Sequence, residues 1–231
     1  RSTLAAAQQR NRIRFAQTFP ADPRAPGVYY QALYQEYQAD SFQLAADMAL
    51  QLRQWTPAAP EDVLQDALVV EAHSYYELSD YARAENAYRQ ALSRLPESDE
   101  RRANLRANLA ASVYRQGEGK IASGNLAGGV EDLLRIGELV PEAALAASAL
   151  YEASGYLVEL QDWQRVIPLL ERLGSEASPE QVHTLTARLA LAYRETGQWS
   201  SAAAKMETLS RLADSPDDQR RNLLEAAKLY D

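Results

Sequence analysis

The chain contains no cysteine. That removes disulfides, thiol nucleophiles and cysteine-based zinc sites together, and it suits an oxidising compartment without fixing one. Histidine is almost as scarce, with only His73 and His183. Neither stands in a His-x3-His or His-Glu spacing, so no metal centre is expected. There is no GxSxG elbow and no glycine-rich oxyanion loop, so nothing marks a serine hydrolase. The pair Gly119-Lys120 fails as a phosphate-binding loop: Tyr114 stands where the first glycine belongs, and Ile121 replaces the Ser/Thr. No strand precedes it, so it reads as a helix end or a local kink. No apolar run approaches the ~18 residues that cross a bilayer, so direct membrane insertion is not expected. No secretory leader is visible either, and the chain opens on Arg1, which suggests a processed or excised fragment.

Basic charge is the scarcer sign. Against 32 Asp+Glu there are 24 Lys+Arg, a net charge of −8. This argues against nucleic acid or anionic lipid as the main ligand. Phenylalanine and isoleucine are sparse while alanine and leucine dominate, which favours helix over sheet. The 231 residues, 46% of them apolar, suffice for a continuous core.

What is present is a recurrent arrangement of small and aromatic residues, clearest in Glu71–Pro96, EAHSYYELSDYARAENAYRQALSRLP. Ala84, Tyr88 and Ala91 share one helical face, Ser79-Asp80 marks a turn, and Asp80 can cap the helix that follows. Pro96 stops that helix. With Gln65 as position 1, Ala72 is position 8, Tyr75 is 11, Tyr81 is 17, Ala84 is 20, Tyr88 is 24, Ala91 is 27 and Pro96 is 32. This stretch resembles one tetratricopeptide repeat (TPR), a helix–turn–helix unit that buries its apolar face only against stacked neighbours.

Further repeats resemble it along most of the chain. Residues 1–19 read as a helix, a partial repeat or cap, broken by Pro20, Pro23 and Pro26. Full repeats are expected at 26–57, 65–96, 98–141, 141–178 and 179–214, with a terminal helix at 216–231. In 26–57, Asp40-Ser41 is the turn and Leu33 takes the usual small position 8. In 98–141 the first helix is long, Gly124-Asn125-Leu126 is the turn and Lys120 replaces the aromatic at position 11. In 141–178 the turn is Gln161-Asp162-Trp163, and Val166 replaces the small residue at position 20. In 179–214, Ser178-Pro179-Glu180-Gln181 is a helix start, and Ala190, Tyr193, Gly197, Trp199 and Ala202 fall in place. The family's usual repeat length is 34, and the matches here are degenerate with longer helices. The resemblance implies one all-α array, residues 1–231: an α-solenoid of antiparallel helix pairs, about eleven or twelve helices, coiled as a right-handed superhelix.

It also implies a binding surface. In TPR arrays the first helix of each pair lines a concave groove through positions 2, 5, 9, 12 and 13. Transferred residue by residue, these places include Tyr30, Tyr34, Tyr37, Asp66, His73, Tyr76, Tyr114, Glu118, Tyr151 and Arg194. Six of the thirteen tyrosines lie among them. Tyrosine offers large contact area and a polar tip at low entropy cost. Asp66, Glu77 and Glu118 are expected to make the groove acidic and to favour a basic or neutral partner. The Lys/Asn carboxylate clamp of chaperone-binding TPRs is absent from positions 5 and 9, which argues against a Hsp70/Hsp90 co-chaperone. The expectation is a non-enzymatic scaffold or adaptor without cofactor or metal, binding a protein or peptide. By resemblance to bacterial cell-envelope TPR proteins it would be periplasmic or outer-membrane-associated, the alternative being cytoplasmic. A saccharide-guiding superhelix of an exopolysaccharide export system, with a polysaccharide on the tyrosines, is the other reading.

Overall fold

A computed structural model describes residues 3–230. The described residues form twelve helices and no strand: α1 Thr3–Thr18, α2 Ala25–Gln38, α3 Phe42–Arg53, α4 Glu61–Glu77, α5 Tyr81–Arg94, α6 Arg102–Ala122, α7 Leu126–Leu139, α8 Ala144–Glu159, α9 Trp163–Glu176, α10 Pro179–Glu195, α11 Trp199–Leu212 and α12 Pro216–Tyr230. The chain is thus an all-α helical-repeat protein built of helix pairs. Its contacts divide it into two compact units, Arg1–Gly119 with Glu138–Leu145, and Lys120–Gly137 with Ala146–Asp231.

Each pair closes through the same turn. One residue with positive φ stands between the helices: Asp40 (57°), Ser79 (60°), Gly124 (86°), Gln161 (58°) and Gly197 (72°). In the first turn the Asp40 N–H donates to the Tyr37 carbonyl at 3.0 Å and the Ser41 N–H to the Glu36 carbonyl at 2.9 Å. The other four turns repeat both bonds. This is the Schellman closure, which satisfies carbonyls left open at a helix C-terminus. The following residue then caps the next helix in three of the five: Asp80 accepts from the Arg83 N–H (3.2 Å), Asn125 from Gly128 (3.0 Å) and Asp162 from Arg165 (3.3 Å). One turn ends one helix and starts the next, so the crossing of each pair is set locally.

Behind the turn, the small position 20 is Ala45, Ala84, Gly129, Val166 or Ala202, and all five are buried. In the first unit the core joins Ala16 of α1, Tyr29 and Leu33 of α2, Met48 and Leu52 of α3, and Val70 of α4. Leu33, at the position usually occupied by a small residue, is fully buried. In the second unit Val130, Leu157, Val166, Leu170, Leu185, Leu189 and Ala202 form the core.

The pair with the poorest motif match is held differently. Lys120, where an aromatic usually stands, reaches Asp132 of α7 with Nζ 2.6 Å from its carboxylate, and Arg135 approaches the same group at 3.2 Å. Asp132 is only 4% exposed. A charge pair replaces the missing aromatic contact.

Two outcomes test this account. Ala84 is fully buried where α5 meets α4, so Ala84→Leu should overpack the pair and lower stability by about 1–3 kcal/mol in urea unfolding. The left-handed turn residues should respond in opposite directions: Gly197→Ala should lower stability by about 1 kcal/mol, whereas Ser79→Gly should raise it by a similar amount, read from thermal melts.

Candidate functional site

Tyrosines stand on α2 at 30, 34 and 37, a spacing of four and then three that keeps them on one helical face. The structure stacks them. The Tyr30 and Tyr34 rings lie 6.2 Å apart at 24°, and Tyr34 and Tyr37 lie 6.3 Å apart at 27°. Because α2 packs against α4, the row continues onto that helix: Tyr37 meets His73 at 6.4 Å. His73 in turn meets Tyr88 of α5 edge-on at 5.5 Å, and its Nδ1 lies 2.8 Å from the Tyr88 hydroxyl. Tyr76, one turn beyond His73, meets Tyr81 at 5.4 Å.

The row is graded in exposure. Tyr34 is 42% exposed, Tyr30, Tyr37, His73 and Tyr76 are half-buried, and Tyr88 is buried beneath them. Burial governs their protonation. It pushes the Tyr30 phenol up to about 12, with Asp66 and Tyr34 adding to the rise and Arg101 opposing it. Tyr37 is raised first by burial and then by Glu77, Tyr34 and Asp40. Burial raises Tyr88 as well and lowers His73, the latter against a smaller upward pull from Glu77. His73 is therefore a neutral, anchored ring at neutral pH.

The charge expected here is corrected by α6. Arg101, just before that helix, places Nη1 2.6 Å from Asp66 while its other nitrogens engage Asp99. Arg115 places Nη1 2.8 Å from Glu118, and the Tyr76 oxygen shares its guanidinium. Two of the three carboxylates thought to make the surface acidic are thus paired with arginines. The transfer of groove positions did not include Arg101 or Arg115, so their reach across to the next helix was not visible in it. Glu77 keeps its charge exposed.

Of the ten residues singled out, Tyr30, Tyr34, Tyr37, Asp66, His73 and Tyr76 come together on α2 and α4. Glu118 joins them through Arg115 and Tyr76, and Tyr114 sits half-buried on the same α6. Tyr151 and Arg194 belong to the second unit. Tyr151 is covered: the Arg188 guanidinium lies 4.8 Å from its ring centroid and donates to the Tyr151 carbonyl at 3.0 Å and to Ser154 Oγ at 2.8 Å. The guanidinium lies over Gly155, where a Cβ would stand 2.8 Å from it. Arg194 is exposed and pairs with Glu195 at 3.2 Å. Sequence reasoning missed Tyr88, which it placed in the core at position 24. Only the pairing with His73 shows that its hydroxyl supports the row. Among the described residues no group of three or more His, Asp or Glu is placed to hold a metal ion, and no helix is long and apolar enough to cross a membrane.

No family model matches the chain, and neither does any curated protein. Among solved structures the chain is similar to the TPR2AB domain of yeast Sti1, described in complex with pHSP90. The identity is 12%, the match covers 96% of this chain and 99% of that one, and the TM-score is 0.39. It is similar also to YrrB, a TPR protein with an unusual peptide-binding site (11% identity, 93% and 97% covered, TM-score 0.39). A third is the set of TPR-like repeats of a Podosopora anserina kinesin light chain (15% identity, 90% and 96% covered, TM-score 0.34). The TPR-type helix pair rests on the five turns and the buried small positions described above.

The lowered His73 gives a signed prediction. A group whose folded pKa is depressed supports the fold fully above its unfolded value of 6.5 and progressively less as pH falls below it. In a His183→Gln background, where His73 is the sole histidine, its ring protons should titrate by NMR with a midpoint below 6.5. Adding His73→Gln should flatten the loss of stability between about pH 6.5 and 5.

Proposed function

We propose that this chain is a non-enzymatic scaffold that binds a protein or peptide partner along the tyrosine row of α2 and its continuation on α4. One observation carries the reading. Three tyrosines of a single helix are held in a nearly parallel row at 6.2 and 6.3 Å, continued by a neutral histidine, and partly open to solvent. Core aromatics need no such exposure. Rings already fixed by their neighbours lose little freedom when a partner covers them, which is the property of good contact residues. The described residues of this surface offer a partner contact area and hydroxyl tips.

The finer placement is part of the proposal. Cysteine is absent, and the degenerate, alanine-rich repeats resemble those of bacterial envelope proteins. These features support a partner within an envelope complex, in the periplasm or at the outer membrane.

The experiment is capture of partners from the cell extract of the source organism, with wild type and Tyr34→Ala compared. Tyr34 is the most exposed member of the row, so the variant should keep the wild-type melting temperature. Binding should weaken by about 1 kcal/mol or more if Tyr34 is an anchor. Adding Tyr30→Ala should weaken it further, with circular dichroism as the check on folding. Unchanged capture by both variants would move the binding surface elsewhere. Saturable quenching of tyrosine fluorescence by neutral glycans, with no protein captured, would favour the saccharide reading instead.

A further inference from the structure

The tyrosine row ends where two helices end. Tyr37 lies in the last turn of α2 and Glu77 closes α4. Helix C-termini carry partial negative charge and favour cations. Six helices, α3, α5, α6, α10, α11 and α12, place an arginine or lysine in the last turn, and two of the six that have none are α2 and α4. They carry acids instead. Asp40 stands three residues past Tyr37 in the left-handed turn position, and Glu77 stands one turn past His73 on the same face of α4.

The contrast with the other carboxylates of this surface is sharp. Asp66 and Asp99 are engaged by Arg101, and Glu118 by Arg115. Asp40 and Glu77 are exposed, and neither has an ion-pair partner among the described residues. Both act on Tyr37, whose phenol they help to raise. Carboxylates without an arginine partner thus stand at this end of the row, beside the rings of Tyr37 and His73. An aromatic face next to free carboxylates attracts a guanidinium or ammonium group by two means, the ring quadrupole and direct Coulomb attraction.

We propose that the end of the row formed by Tyr34, Tyr37, His73, Asp40 and Glu77 receives a cationic side chain, an arginine or lysine, from the partner segment lying along α2. The inference rests on the tyrosine row being the binding surface and adds the chemistry of the group it recognises. The cation takes the place that a last-turn arginine or lysine occupies in α3, α5, α6, α10, α11 and α12. It lies over the Tyr37 ring with the two carboxylates beside it, and the rest of the segment continues towards Tyr30. At that far end Asp66 and Asp99 are both engaged by Arg101.

The test uses the whole chain and three capped pentapeptides, Gly-Arg-Gly-Arg-Gly, its citrulline counterpart, and Gly-Glu-Gly-Glu-Gly. Tyrosine ring resonances are followed by NMR. The arginine peptide should shift Tyr34 and Tyr37 saturably, while the citrulline peptide, equal in shape but neutral, should bind about tenfold more weakly. The glutamate peptide should not bind. Asp40→Asn with Glu77→Gln should reduce affinity for the arginine peptide about tenfold, whereas Asp62→Asn, at the other end of α4, should leave it unchanged. Equal binding of the arginine and citrulline peptides, no shift with either, or wild-type affinity in the double variant would overturn the proposal. The captured partner separates the two readings. If its binding needs Tyr34 but is indifferent to the double variant, the row stands as the surface and the cation site falls. If capture is untouched both by Tyr34→Ala and by the variant that adds Tyr30→Ala, both fall.

Discussion

How closely two helices can lie depends on the smallest side chain between them, and the rest of this structure depends on that approach. Ala45, Ala84, Gly129, Val166 and Ala202 mark the place in five successive helix pairs, each buried. Close backbones leave little room at the crossing, so bulky side chains collect beside it. That is why Tyr88 lies packed at 1% exposure while the ring of His73 rests on its edge. The left-handed residue of each turn serves the same end. It reverses the chain in so few residues that the second helix must come back against the first.

The candidate surface follows from that packing. With α2 held against α4, side chains three and four apart on each helix form rows, and rows on adjacent helices become neighbours. The tyrosines of α2 thus meet His73 of α4 without any loop to position them. Loops move more readily than packed helices, and rings carried by helices keep their spacing. The arginines at and within α6 then pair with Asp66 and Glu118, while Asp40 and Glu77 stay exposed at one end.

Much of the fold was legible because its signals are local. A small residue, an aromatic and a turn residue at fixed offsets belong to one hairpin, and the first residue of each turn read from the sequence carries the positive φ. The face shared by Tyr30, Tyr34 and Tyr37 was legible for the same reason, being a property of one helix. What the sequence did not disclose depends on contacts between helices. Arg101 pairs with a carboxylate 35 residues away, Tyr88 supports a histidine 15 residues away, and Arg188 covers a tyrosine 37 residues away. No periodicity encodes such reach, because long flexible side chains choose partners only once the helices have been placed.

Repeat chains face a hazard that other folds escape: their hairpins resemble one another, so a helix of one can dock on the wrong neighbour. Hydrophobic contacts do little to prevent it, since an alanine or leucine accepts any apolar surface of suitable shape. The charged trio of α6 and α7 is of another kind. Asp132, buried between Lys120 of α6 and Arg135 of its own helix, would lose the Lys120 partner against any other helix, which is costly for a buried carboxylate. The pair whose small and aromatic residues depart furthest from the common pattern is therefore the one that carries an address. Its ion pair makes mispairing expensive at the middle of the sequence, where an error would displace every hairpin that follows.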